Sequence, residues 1–199
     1  MKSVLKRHLL SVVLGMAITL PALFSAMADE AKVGGPFTLI NQDGLVTTEA
    51  DFKGRFLLVF FGYTYCPDVC PTTLITVSNA LDILGPDAAL IAPLFISVDP
   101  ERDSAAVLKG YLSSFNPKIV GLTGTAEQVA AVAGAFQAPY EKIIEPGADP
   151  EYYAVGHPAF LYLMAPNGDF LGIIGYQDPP EKMAKLLRKK IHELLPPAE

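Results

Sequence analysis

The sequence is short of soft metal ligands and of positive charge. Its 199 residues hold two cysteines and three histidines, and 15 Lys and Arg stand against 21 Asp and Glu, for a net charge of −6. That balance excludes nucleic acid as a partner class, because phosphate binding needs a surplus of cations. Charge runs, low-complexity tracts and internal repeats are also missing, which argues against charged tails and repeat arrays. What is plentiful is apolar material, 51% of the chain. The length suits one domain with a core of ordinary size and leaves little for a second.

The first 28 residues stand apart in composition. Lys2, Lys6, Arg7 and His8 make a basic start, and Leu9 to Leu20 is apolar except for Ser11 and Thr19. Pro21 breaks the pattern, and Ala26-Met27-Ala28 supplies the small residues a signal peptidase reads. Residues 1–28 are therefore expected to be a signal peptide, with residues 29–199 as the folded domain. The alternative is an uncleaved anchor, since Leu9 to Ala28 is just long enough to span a bilayer. Either way the domain is expected outside the cytoplasm, in a bacterial periplasm, free or tethered to the inner membrane. Cleavage removes three cations and takes the net charge from −6 to −9. It also leaves His157 and His192 as the histidines of the mature domain.

In an oxidising compartment two cysteines ordinarily suggest a structural disulfide. Cys66 and Cys70 enclose three residues, however. Closing so small a loop removes little entropy from the unfolded chain, so the pair would be a weak staple. A redox or metal role fits better.

The periodicity supplies a fold. Phe37 to Ile40 and Leu45 to Thr48 flank a turn at Asn41-Gln42-Asp43-Gly44, a small hairpin. Phe56 to Phe61 is an unbroken apolar run of the kind that forms a strand buried on both faces. Leu74, Val77, Leu81 and Leu84 recur at helical spacing until Gly85-Pro86. A strand over Leu94 to Val98, entered at Pro93, precedes a helix with Asp103 as N-cap and Val107, Leu108, Tyr111, Leu112 and Phe115 inward. Ile119 to Leu122 is a short strand, and Thr125 with Gln128 makes a capping box for the next helix. Residues 137–156 read as a long surface loop. Ala159 to Met164 and Phe170 to Ile174 form a hairpin, and a last helix runs from Pro180 to Leu195. This order predicts an α/β thioredoxin-like sandwich, with a mixed central sheet flanked by helices and an N-terminal hairpin.

The cysteines follow the buried strand and precede a helix. Pro71 is favourable at a first helical position and pushes Cys70 out of the helical region, so both sulfurs are expected in a loop at a helix N-terminus. The positive end of the helix favours thiolate over thiol, the form that attacks disulfides and binds soft metals. Two thiolates suit Cu(I), and an added imidazole also accommodates Cu(II). His157, just before the Ala159 strand, reads either as a surface-loop histidine or as that imidazole. His192, among Lys189, Lys190 and Glu193, reads as solvated, and Met164 as core. Asp68 either tunes the charge of the loop or shapes its turn.

Three stretches carry a resemblance: Gly35-Pro36-Phe37 with Asn41-Gln42-Asp43-Gly44, Phe61-Gly62-Tyr63-Thr64-Tyr65-Cys66-Pro67-Asp68-Val69-Cys70-Pro71, and Ser97-Val98-Asp99-Pro100-Glu101-Arg102-Asp103. Together they are similar to the Sco/SenC copper proteins over roughly Gly34 to Leu194. The resemblance implies one copper ion, as Cu(I) or Cu(II), held by Cys66, Cys70 and His157. It implies a non-catalytic copper chaperone that helps build the dinuclear copper site of cytochrome c oxidase subunit II, receiving its ion from a copper donor protein. The competing reading is a thiol–disulfide reductase using Cys66 and Cys70 to keep the acceptor's cysteines reduced. A thiol peroxidase, a third use of such a fold, is disfavoured by the same motifs. The chain departs from many members around His157, where Gly156 replaces an acidic residue and Pro158 a small hydroxyl residue.

Overall fold

Residues 56–61 offer water no polar face, and in the computed structural model they run through the middle of the sheet. The structure describes residues 32–147, 149 and 151–195. The elements follow in the order β1 (Thr38–Asn41), β2 (Val46–Thr48), β3 (Phe56–Gly62), α1 (Val69–Leu84), β4 (Ile91–Ser97), α2 (Ala105–Leu112), β5 (Val120–Thr123) and α3 (Ala126–Ala135). Then come β6 (Glu141–Ile143), β7 (Ala154–Gly156), β8 (Phe160–Met164), β9 (Phe170–Gly175) and α4 (Pro180–Leu194). Seven strands make one sheet in the order β2-β1-β5-β4-β3-β8-β9. β3, β4 and β5 pair in parallel, while the N-terminal hairpin and the β8–β9 hairpin add antiparallel. Such a sheet, with α1 packed on α4, α2 against β5 and α3 against β1, is the mixed α/β sandwich expected. Phe56, Phe60, Phe61, Phe95 and Phe136 fill its interior, joined by Met164.

Several boundaries move, each for a physical reason. β4 starts at Ile91 and takes Pro93 inside the strand. The proline is tolerated because β5 begins pairing only at Leu94, so one side of Pro93 has no ladder to break. α1 begins at Val69, which puts Cys70 within its first turn rather than before it. Pro71 is then the third helical residue, still among the amides that have no intrahelical partner, and costs no hydrogen bond. The N-cap of α2 is Ser104, whose hydroxyl accepts from the Val107 N–H, and not Asp103. α2 ends at Leu112, leaving Phe115 beyond it and Val107 exposed. The capping box of Thr125 and Gln128 forms as read.

Residues 137–156 are not a plain loop. β6 and β7 pair antiparallel within them as a separate two-stranded ribbon, with Glu141 opposite Gly156 and Ile143 opposite Ala154. Strands of three residues are too short to leave a period-two signature. Residues 1–28, expected to be a signal peptide, lie outside the described residues. No helix among the described residues is long and apolar enough to cross a membrane.

Candidate metal centre

Cys66, Cys70 and His157 come together from three places in the chain. The loop after β3 carries Cys66, the first turn of α1 carries Cys70, and the residue following β7 is His157. Their donor atoms all lie within 4.8 Å of one another, and among the described residues they are the group found able to hold a metal ion. Donors that close together can converge on a single ion. Cys70 Sγ stands 3.6 Å from His157 Nε2. The donor set is therefore two sulfurs and one imidazole nitrogen, which suits a soft or borderline ion such as copper.

The tautomer of His157 follows from its second contact. Nδ1 lies 3.1 Å from the carbonyl oxygen of Pro158, which can only accept. Nδ1 thus carries the proton, and Nε2 turns its lone pair toward Cys70. A backbone carbonyl takes the orienting part that a carboxylate would otherwise play, so glycine at position 156 does not leave the imidazole unsupported. The rings of Phe60 and Tyr63 meet the imidazole edge-on, with centroids 5.9 and 5.7 Å away. Beside it a depression lined by Pro139, Tyr140, Glu141, Pro158 and Phe160 opens to solvent.

The two sulfurs are unequal. Cys70 is fully sealed, whereas Cys66 keeps 9% of its surface exposed. Donation from the Cys70 S–H holds the Cys66 thiol far below the usual thiol range despite the penalty of burial. The Cys70 backbone N–H, 3.4 Å from Cys66 Sγ, adds to the effect. The Cys70 thiol is pushed up by the same hydrogen bond, by burial and by the Cys66 charge. The pair therefore rests as a thiolate at the mouth and a thiol behind it. Gly62 makes room for that thiol, since a Cβ there would lie 2.6 Å from Cys70 Sγ and 2.7 Å from the Phe95 ring.

Residues outside the predicted set hold this arrangement. Buried Asp103 accepts from the Thr64 N–H at 2.9 Å, the Thr64 hydroxyl at 2.6 Å and the Ser97 hydroxyl at 2.6 Å, fastening the cysteine loop to the end of β4. Buried Asp99 accepts from Arg102 Nε and from the Tyr153 hydroxyl, fastening the start of the β7 segment to the loop after β4. In the sequence Asp99 and Asp103 stand out as members of the Ser97 to Asp103 stretch that carries the resemblance, and Asp103 as an N-cap candidate, and neither signal shows what their carboxylates hold. Asp68 is exposed and reaches Thr72 at 3.4 Å, a turn-shaping contact. His192 is exposed on α4.

Comparison with known proteins agrees with this geometry. The family model described as SCO1/SenC matches residues 25–192. Protein SCO1 homolog 1, mitochondrial, of Arabidopsis thaliana is 36% identical over 167 residues, covering 83% of this chain and 49% of that protein. The SCO2-like protein of Rickettsia felis is 38% identical over 160 residues, covering 80% of this chain and 78% of that protein. Among solved structures, Bradyrhizobium japonicum ScoI with copper bound superposes with a TM-score of 0.73 at 41% identity, covering 79% of this chain and 98% of that one.

Proposed function

Because the chain belongs to the SCO1/SenC family, we propose that it is an exported copper chaperone carrying one copper ion on Cys66 Sγ, Cys70 Sγ and His157 Nε2. The acceptor in this reading is the dinuclear copper site of cytochrome c oxidase subunit II, and a copper donor protein loads the chaperone. The observation that carries the proposal is the convergence of the three donors. Copper here is cargo. Cys66 keeps a little exposed surface and His157 is half-buried, while Cys70 is sealed, an arrangement suited to taking an ion from one protein and yielding it to another. Residues 1–28 act in this reading as a signal peptide and residues 29–199 as the periplasmic domain, near the membrane through its partner. An uncleaved anchor is the alternative.

A second reading is favoured by the thiolate–thiol pair. Cys66 S⁻ could attack a disulfide between the acceptor's cysteines, and Cys70 could then displace the second sulfur. The acceptor leaves as one thiol, protonated by the proton Cys70 gives up, and one thiolate, and this chain keeps a Cys66–Cys70 disulfide. His157→Ala separates the two functions in cells. For a chaperone, oxidase assembly fails nearly as badly as with Cys66→Ala. For a reductase, assembly stays near normal because both thiols remain. Near-normal assembly, with the purified variant folded and copper-poor, overturns the chaperone reading.

A further inference from the structure

We infer that Arg102 is a positioning residue, fixing where the His157 imidazole stands relative to the two sulfurs. The ribbon that ends at His157 has three residues in each strand and is not hydrogen-bonded into the main sheet. A two-stranded ribbon of that size has little stability of its own, so its contacts with the rest of the fold decide its place. Val155 anchors the ribbon in the core and meets Tyr63 through its backbone, and two charged tethers add to this: one is the ion pair of Lys142 with Glu101, which is exposed at both ends and contributes little. The other is built on Arg102.

Arg102 touches the cysteine loop and the segment that leads through β7 to His157. Its Nε donates to Asp99 of its own loop, and its Nη1 donates to the Tyr153 carbonyl at 3.1 Å. Tyr153 immediately precedes β7, four residues before His157. The guanidinium lies 3.6 Å from the centre of the Tyr153 ring, 4.8 Å from that of Tyr65 and 5.7 Å from that of Tyr63. Tyr65 is the neighbour of Cys66, and Tyr63 meets the His157 ring edge-on. Nη2 is buried without a hydrogen-bond partner, in keeping with a group held between aromatic faces. A lysine could supply the charge, but it cannot stack on the rings and make both directed bonds together. Asp99 completes the unit by accepting from Arg102 and from the Tyr153 hydroxyl at 2.7 Å.

The test compares Arg102→Met, Arg102→Lys and Lys142→Met with the unaltered chain. In the reduced, metal-free protein, the His157 ring is expected to give one sharp set of NMR signals. Arg102→Met and Arg102→Lys are expected to broaden or double that set, and Lys142→Met to leave it alone. The second arm rests on the copper reading. Cu(II) affinity is expected to fall about 10- to 100-fold in both Arg102 variants, as for loss of partners that orient a metal-bound histidine, with weakened nitrogen coupling in the EPR spectrum and Cu(I) retained. Should Arg102→Met fail to fold because Asp99 is left as an unpaired buried charge, Asp99→Asn/Arg102→Met removes both charges and takes its place. Unchanged His157 signals and Cu(II) affinity within twofold of the unaltered chain overturn the inference. So does full rescue by Arg102→Lys. If the unaltered chain binds no copper, the chaperone reading falls, and the metal-free NMR arm still decides the role of Arg102.

Discussion

Cys66 and Cys70 behave as one acid whose readily lost proton has already gone. The Cys66 thiolate is held by the Cys70 S–H and then by its other donors, so its pKa lies far below the ordinary thiol value of about 8.5. A depressed pKa keeps the thiolate present as pH falls, until the lowered value itself is reached. Alkylation of the reduced protein by iodoacetamide is therefore expected at Cys66 alone, with a rate nearly constant from pH 8 down into the acid range. A rate that falls tenfold per pH unit below pH 8.5 would contradict this. Beneath the pair, Gly62 has no room for a methyl group, since both atoms it would strike belong to buried side chains. Gly62→Ala is expected to cost about 1–3 kcal/mol, read as a lower urea midpoint with an unchanged slope. It should also displace Cys70 and weaken copper binding.

The elements place the site through polar contacts that hydrophobic periodicity does not reveal. Asp103 looks like an N-cap from its position before an apolar helical pattern. Ser104 takes that place, and Asp103 turns inward to Thr64 and Ser97. Asp103→Ala would leave three donors without their acceptor, and about 2–4 kcal/mol of stability should be lost by chemical denaturation. Asp103→Asn, which keeps one acceptor oxygen, should lose less. A variant within 0.5 kcal/mol of the unaltered chain would show that Asp103 does not fasten the loop. β3 and the capping box of α3 were legible because burial and capping are written locally. The start of α1 was misread because a proline is tolerated throughout a helix's first turn. The β6–β7 ribbon was missed because its strands are short and β6 is exposed along its length.

For the whole molecule, the resemblance named the ligand set and the fold brings its members together, but spacing alone could not bring His157 to the cysteines. The sheet does so by pairing β8 antiparallel with β3, which sets the entrance of β8 beside the end of β3 where the cysteine loop begins. Export is the other claim at this scale. Intact mass of protein recovered from the periplasm should correspond to a chain starting at Asp29, and a full-length product retained in the membrane would identify residues 1–28 as an anchor. The account's central claim is that Cys66, Cys70 and His157 together hold copper, and the most direct measurement is copper titration of the reduced domain beside its His157→Ala variant. The account predicts one copper per unaltered chain, little binding once Cys66 and Cys70 are oxidised, and a variant that keeps Cu(I) with lower affinity while losing most of its Cu(II) binding. A variant that binds Cu(II) as tightly as the unaltered chain, with the same EPR spectrum, would contradict it.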